Sequence, residues 1–178
     1  MTLAFLNLEI NGDGNCRYQQ ILPITAAKNL GDIQLKGNHS VAKITTFKGY
    51  DSDSSAQRPN ERVLPNIVTA RDGVPVKYPN CEGLGVRIVH PANPKAPAQN
   101  MGLIMFYIPP HVTFEPSSHH TEECYVILRG KGTMILAGDE VQVEAGMFVH
   151  LPPWCEHGIE NTGDETLEVL ICTSPPNP

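Results

Sequence analysis

Between residues 114 and 130 the chain reads FEPSSHHTEECYVILRG, which sets His119 and His120 beside Glu122 and Glu123. Imidazoles titrate near neutral pH, and both imidazoles and carboxylates ligate divalent metals. Four such groups in five residues make a metal site, a surface patch or one helical turn. A helix would stack His119 over Glu123, four positions apart. The segment, however, runs directly into β-branched and aromatic residues, which favours strand. On an uninterrupted strand the two Cα atoms would stand about 13 Å apart. That is too far for both side chains to reach one ion at bonds of ~2 Å. A shared site therefore requires the chain to turn between His119 and Glu123, and the polar His120-Thr121-Glu122 suits such a turn.

Six of the seven histidines (His90, His111, His119, His120, His150 and His157) lie between residues 90 and 157. His39, His90 and His111 read as surface residues. Cys155 sits two before His157, but no second cysteine has ligand spacing, so a Cys/His zinc site is not expected. By strand parity Tyr125 and Ile127 share a face with Glu123, and His150 shares one with Phe148 and Pro152.

The elements that must position these groups are short strands. Sixteen prolines and fifteen glycines in 178 residues punctuate the chain too often for long helices. Strands are expected in CRYQQILPI, SVAKITTF, RVLPNIVTA and GLGVRIVH. Between residues 49 and 62 the polar GYDSDSSAQRPNER predicts a mobile loop, and HPANPKAPAQN (90–100) predicts an extended one. From residue 102 the pattern tightens: GLIMFYIPP, CYVILRG, MFVHLPP and LEVLICT are strands, and TMILAGDEVQVEAG is a hairpin turning at Gly138-Asp139. Closely spaced strands of this kind predict a β-sandwich or barrel.

A net charge of −6, with no cluster of Lys and Arg, argues against a nucleic-acid partner. The N-terminus lacks a signal-peptide pattern, and no run reaches the roughly 20 apolar residues of a membrane span. A soluble, cytoplasmic protein is expected. Five scattered cysteines without a CxxC read as free thiols in a reducing compartment.

Two motifs together resemble the cupins. Glu123 is followed by six residues and Gly130, and His119 stands where the first motif has its second histidine. Ser117 occupies the place of the leading histidine. Further on, GMFVHLPPWCEHGIEN matches the second motif through Gly146, Pro152, His157 and Asn161. The resemblance covers residues 84–173. It implies an all-β double-stranded β-helix (jelly-roll barrel) over 81–178. Residues 1–80 would be an N-terminal extension with short strands, packed on the barrel or on a partner subunit. Trp154, the only tryptophan, would cover the barrel or a subunit contact.

The family pattern further implies one divalent metal held by His119, Glu123 and His157, with His120 as an alternative fourth ligand in place of Ser117. Fe(II) is favoured, with Zn, Ni or Mn also compatible. Ser117, Tyr125 and Ile127 would line the cavity, and His150 or His120 would serve as an acid/base or supporting group. The resemblance implies a metal-dependent enzyme on a small organic substrate, with Fe(II)-dependent dioxygenase-type C–C cleavage first. Redox-neutral isomerase, lyase or decarboxylase chemistry and a non-catalytic ligand-binding barrel are the alternatives. A homodimer is expected, with no nucleic-acid or membrane partner.

Overall fold

The computed structural model describes residues 7–10, 16–19 and 59–177. The chain divides into two compact units, Met1–Asn60 and Glu61–Pro178. In the first, β1 (Asn7–Ile10) pairs antiparallel with β2 (Cys16–Gln19). The strand expected in SVAKITTF and most of the loop expected over 49–62 lie outside the described residues.

The second unit is two antiparallel sheets. Its strands are β3 (Val74–Lys77), β4 (Leu84–Val89), β5 (Gly102–Ile108), β6 (Thr113–Ser117), β7 (Glu122–Arg129), β8 (Lys131–Leu136), β9 (Asp139–Glu144), β10 (Phe148–Leu151), β11 (His157–Glu160) and β12 (Leu167–Ser174). One sheet has the order β10-β7-β12-β5-β4-β3 and the other β6-β11-β8-β9. This is the all-β jelly-roll arrangement expected from the sequence. Alternation sets the faces: along β5 and β12 every second residue is buried, as a strand with one face on a core requires. Ile104, Phe106, Ile127, Met134, Ile159, Leu167 and Val169 from both sheets form that core.

Several local expectations change. RVLPNIVTA forms no strand. Pro65 cannot donate to a ladder, and Val63, Leu64 and Ile67 stay exposed. The sheet edge is instead β3, ahead of residue 81, where Pro75 is tolerated because the strand has a neighbour on one side only. The hairpin turns at Ala137-Gly138, both at positive φ, and Asp139 already pairs with Leu136. Residues 90–100 are not extended but knotted around Asn93. Its side-chain amide donates to the Ile88 carbonyl at 2.6 Å, and its oxygen accepts from the Lys95 amide. His90, read as a surface residue, is buried beside this knot, where its Nδ1 accepts from the Ala92 amide.

Two glycines bring the sheets into register with the site. Gly130, at φ +83°, lets the chain turn between β7 of one sheet and β8 of the other. Gly158 on β11 faces the backbone of β6, and a Cβ there would lie 2.8 Å from the Pro116 nitrogen and 2.9 Å from the Phe114 carbonyl oxygen. The absent side chain thus allows β6 to lie close along the strand that begins with His157.

Candidate metal centre

The turn that the His119–Glu123 spacing demands is present, and it is also the crossing between sheets. Strand β6 ends at Ser117 in the four-stranded sheet and β7 begins at Glu122 in the six-stranded one. His119 stands in the connection, where its carbonyl accepts from the Trp154 amide at 2.7 Å. Glu123 points inward from β7, and His157 opens β11 opposite Ser117. His119 Nε2 lies 3.7 Å from Glu123 Oε1, and His157 Nε2 lies 3.3 Å from Glu123 Oε2. The three ligand atoms fall within 4.8 Å of one another. Glu123 and His157 are 4% and 2% exposed.

Hydrogen bonding shows why these groups fit a cation. His157 Nδ1 is 2.9 Å from the Cys155 carbonyl, which only accepts, so Nδ1 carries a proton. In the neutral ring Nε2 then aims a lone pair at a carboxylate oxygen that has no hydrogen-bond partner. Two acceptors facing each other at 3.3 Å call for a positive charge between or beside them. An ion with bonds of about 2.0–2.2 Å holds adjacent ligand atoms ~3.0–3.5 Å apart; the His157 separation of 3.3 Å falls in that range and the His119 separation of 3.7 Å lies just beyond it. Fixing the distal nitrogen through a backbone carbonyl is the usual support of a ligating histidine.

The same contacts move the titrations. Burial by itself would lower the His157 pKa, but the Glu123 carboxylate and the Cys155 carbonyl outweigh it, and the net shift is upward. Tyr78 is pushed up to about 12, by burial first and then by Glu123. Tyr125 rises well above its ordinary value for the same reasons. Both phenols therefore stay protonated at neutral pH.

A pH prediction follows with opposite signs for the two forms. Without metal, the raised His157 pKa contributes stability that is full below the ordinary value of 6.5 and is lost as pH rises through the folded value. Metal needs Nε2 unprotonated, so its affinity climbs across the same range. Thermal melts in chelator should therefore fall as pH rises above 6.5, while metal titrations tighten. Parallel trends in the two measurements would rule out His157 as the shared group.

The cavity measures about 170 Å³ and is walled by Tyr78, Phe106, Phe114 and Ile171, with Ser117, His119, Glu123, Tyr125, His157 and Asn177 completing its lining. Ser117, expected in the lining from the motif, and Tyr125, expected there from parity, both line the cavity, whereas Ile127 lies in the packed core away from the lining. His120 is exposed, with its ring 6.3 Å from that of Trp154, and is not among the clustered ligand atoms. It does not fill the place left by Ser117, because it follows His119 on the outer side of the turn. His150 is also outside. It pairs in register with Cys124, whereas Leu151 pairs with Glu123, so it points away from the cavity and meets Glu122 at 2.8 Å.

Sequence reasoning passed over Tyr78, Phe106, Phe114, Ile171 and Asn177. Alternation marks Phe106 and Ile171 as inward-facing, but nothing local says which inward residues reach a cavity. Tyr78 lies before the motifs and Asn177 after the last strand, so neither carries a signal.

Comparison with known proteins agrees with the fold. Residues 104–173 match the family described as the Cupin domain. An uncharacterised protein of Methanocaldococcus jannaschii is 42% identical over 59 residues, covering 33% of this chain and 47% of that protein. Auxin-binding protein 1 of Arabidopsis thaliana is 35% identical, covering 36% of this chain and 40% of that one. The chain thus spans less than half the length of these curated relatives. Among solved structures, the polyketide cyclase RemF of Streptomyces resistomycificus superposes with TM-score 0.56 at 19% identity, over 65% of this chain and 82% of its own. A predicted oxalate decarboxylase of Thermotoga maritima gives 0.53 at 22%, over 62% and 99%. At these identities the structural likeness speaks for the fold. Among the described residues, no helix is long and apolar enough to cross a membrane.

Proposed function

We propose, from the match of residues 104–173 to the Cupin domain family, that the chain is a cupin and a mononuclear metal enzyme acting on a small organic molecule inside the barrel. One observation carries the reading: His119, Glu123 and His157 converge at the cavity, while Ser117, in register with His157, leaves the fourth side of the set to non-protein ligands. Two imidazoles and one carboxylate on one side of an ion is the set used by non-haem Fe(II) oxygenases, so dioxygenase-type C–C cleavage is the preferred reaction. When bound, the metal supplies Lewis acidity and, as iron, one-electron chemistry toward oxygen. The chain's own contribution is a small, largely apolar chamber. Phe106, Phe114 and Tyr78 pack edge-to-face with one another at ring separations of 5.0 to 5.7 Å and limit both the size of the substrate and access by water.

A redox-neutral isomerase, lyase or decarboxylase is the second reading, and the tyrosines favour it. Tyr78, half-buried, and Tyr125, buried, line the cavity and keep their protons. Each could donate a hydrogen bond to a developing oxyanion.

The test is metal analysis of protein purified without added metal or chelator, followed by oxygen-electrode assays of the Fe(II)-loaded form. Catechols, diketones and hydroxy acids form the substrate panel. The dioxygenase reading expects oxygen uptake stoichiometric with the loss of one of these compounds. Full iron loading without uptake, together with turnover by the Zn or Mn form, would replace it with the redox-neutral reading. Metal-free protein that binds a panel member unchanged would indicate a binding barrel.

A further inference from the structure

The sheet that carries Glu123 holds a pair of thiols on its opposite face. Cys124 on β7 and Cys172 on β12 are direct cross-strand partners. Their neighbours Glu123, Tyr125, Ile171 and Thr173 are buried, so alternation turns both cysteines away from the cavity. Each is half-buried and free, which leaves the sulfurs within reach of a small solute. Opposed residues in an antiparallel pair have Cα atoms about 4.5 or 5.5 Å apart, inside the ~4.4–6.8 Å span that a disulfide bridges. Of the other cysteines, Cys16 pairs with Ile10, and Cys81 and Cys155 lie on no strand.

We propose that Cys124 and Cys172 are an oxidation site, a dithiol that closes across β7 and β12 in the presence of a hydroperoxide. One thiol gives two electrons to hydrogen peroxide and becomes a sulfenic acid, releasing one water. The second thiol attacks that sulfur, the S–O bond breaks, and a second water leaves as the S–S bond forms. In sum, two thiols and one hydrogen peroxide become one disulfide and two waters.

The rung next to this pair is Glu123 opposite Thr173. Facing Cβ atoms on paired strands lie ~4.5–5.5 Å apart, and those of a disulfide average about 3.8 Å, so closure draws the strands together beside Glu123. Oxidation therefore alters how the carboxylate meets a metal; this second half of the inference rests on the metal-site reading above.

The experiment uses the full-length, metal-free protein, treated with excess hydrogen peroxide and then with catalase. Thiols counted after denaturation should fall from five to three. A non-reducing peptide map should join the Cys124 and Cys172 peptides, and dithiothreitol should restore the count. Cys172→Ser, in which Cys124 has no thiol opposite it, should show no disulfide-linked Cys124 peptide in the same map. A wild-type count that stays at five, or a bridge between other cysteines, overturns the site. Cobalt(II) titration then reads the coupling. Oxidised protein should bind on the order of 10-fold more weakly than reduced protein, the size of effect seen when ligand-supporting groups are disturbed, and Cys172→Ser should show no change. Equal affinities overturn the coupling. No cobalt binding in either state would retire the metal reading and the coupling with it, while the peptide map still decides the dithiol.

Discussion

Replacing His157 with alanine is expected to strip the protein of its metal. His157 is one of three converging ligands, and its Nδ1 is held by the Cys155 carbonyl so that Nε2 faces Glu123. Disturbing only the groups that support such a ligand costs about 10- to 100-fold in affinity, so removing the ligand itself should cost at least ~100-fold. Glu123→Gln should do the same for a different reason: it keeps the shape but removes the anionic oxygens that a divalent ion requires. Ser117→Ala is the discriminating control. Ser117 sits in register with His157 yet is exposed, and the predicted metal content of this variant equals that of the wild type. Elemental analysis of the purified proteins decides between these outcomes. Unchanged metal in His157→Ala would end both enzymatic readings, and loss of metal in Ser117→Ala would make the serine a ligand.

The second large effect concerns stability. Asn161→Ala is expected to destabilise the barrel by about 3–5 kcal/mol, because two buried partners and the half-buried Glu165 carbonyl lose their hydrogen bonds together. The Asn161 amide nitrogen donates to the Ile108 and Glu165 carbonyls, each at 2.8 Å, and its side-chain oxygen accepts from the Gly163 amide at 2.9 Å. Its backbone adds two more links, donating to the Val112 carbonyl and accepting from the His111 amide. The side chain is fully buried, so water cannot replace what the Ile108 carbonyl and the Gly163 amide lose. A melting temperature lower by roughly 10 °C corresponds to that energy for a chain of this size. Urea unfolding would measure it directly, and a loss below about 1 kcal/mol would mean that water reaches the site after all. The folded fraction should still take up metal, since Asn161 is not one of the clustered ligands.

Asn161 also shows how much a motif conveys. The sequence marks it four residues after His157, in the manner of cupins, but says nothing of its work. The structure makes it a staple that holds the β5–β6 corner and the 161–165 loop at one end of the barrel. The four polar residues of 119–123 divide in the same way. Alternation along β7 separates Glu123 from Glu122, because neighbours on a strand face opposite sides. It could not place His119, which lies on no strand, nor assign His120 to Trp154. His150 was equally open, since a strand's period says which residues share a face and not which face is inward. The pairing of Leu151 with Glu123 settled that.

The sequence alone determined strands β5, β7 to β10 and β12 but not β6 or β11, the barrel class, the spacing that requires a turn between His119 and Glu123, and the serine in a histidine's place. These follow from local causes: side-chain periodicity, proline and glycine punctuation, and the reach of a chain at about 3.3 Å per residue. The tertiary structure decided which groups meet. His157 reaches Glu123 because β6 and β11 pair with Ser117 opposite His157 and because the turn after Ser117 crosses from one sheet to the other. It also put Tyr78 and Asn177, from either end of the described barrel, into one cavity lining. Register and sheet packing arise from contacts between residues far apart in the chain, and a shift of one residue would exchange the two faces of a strand.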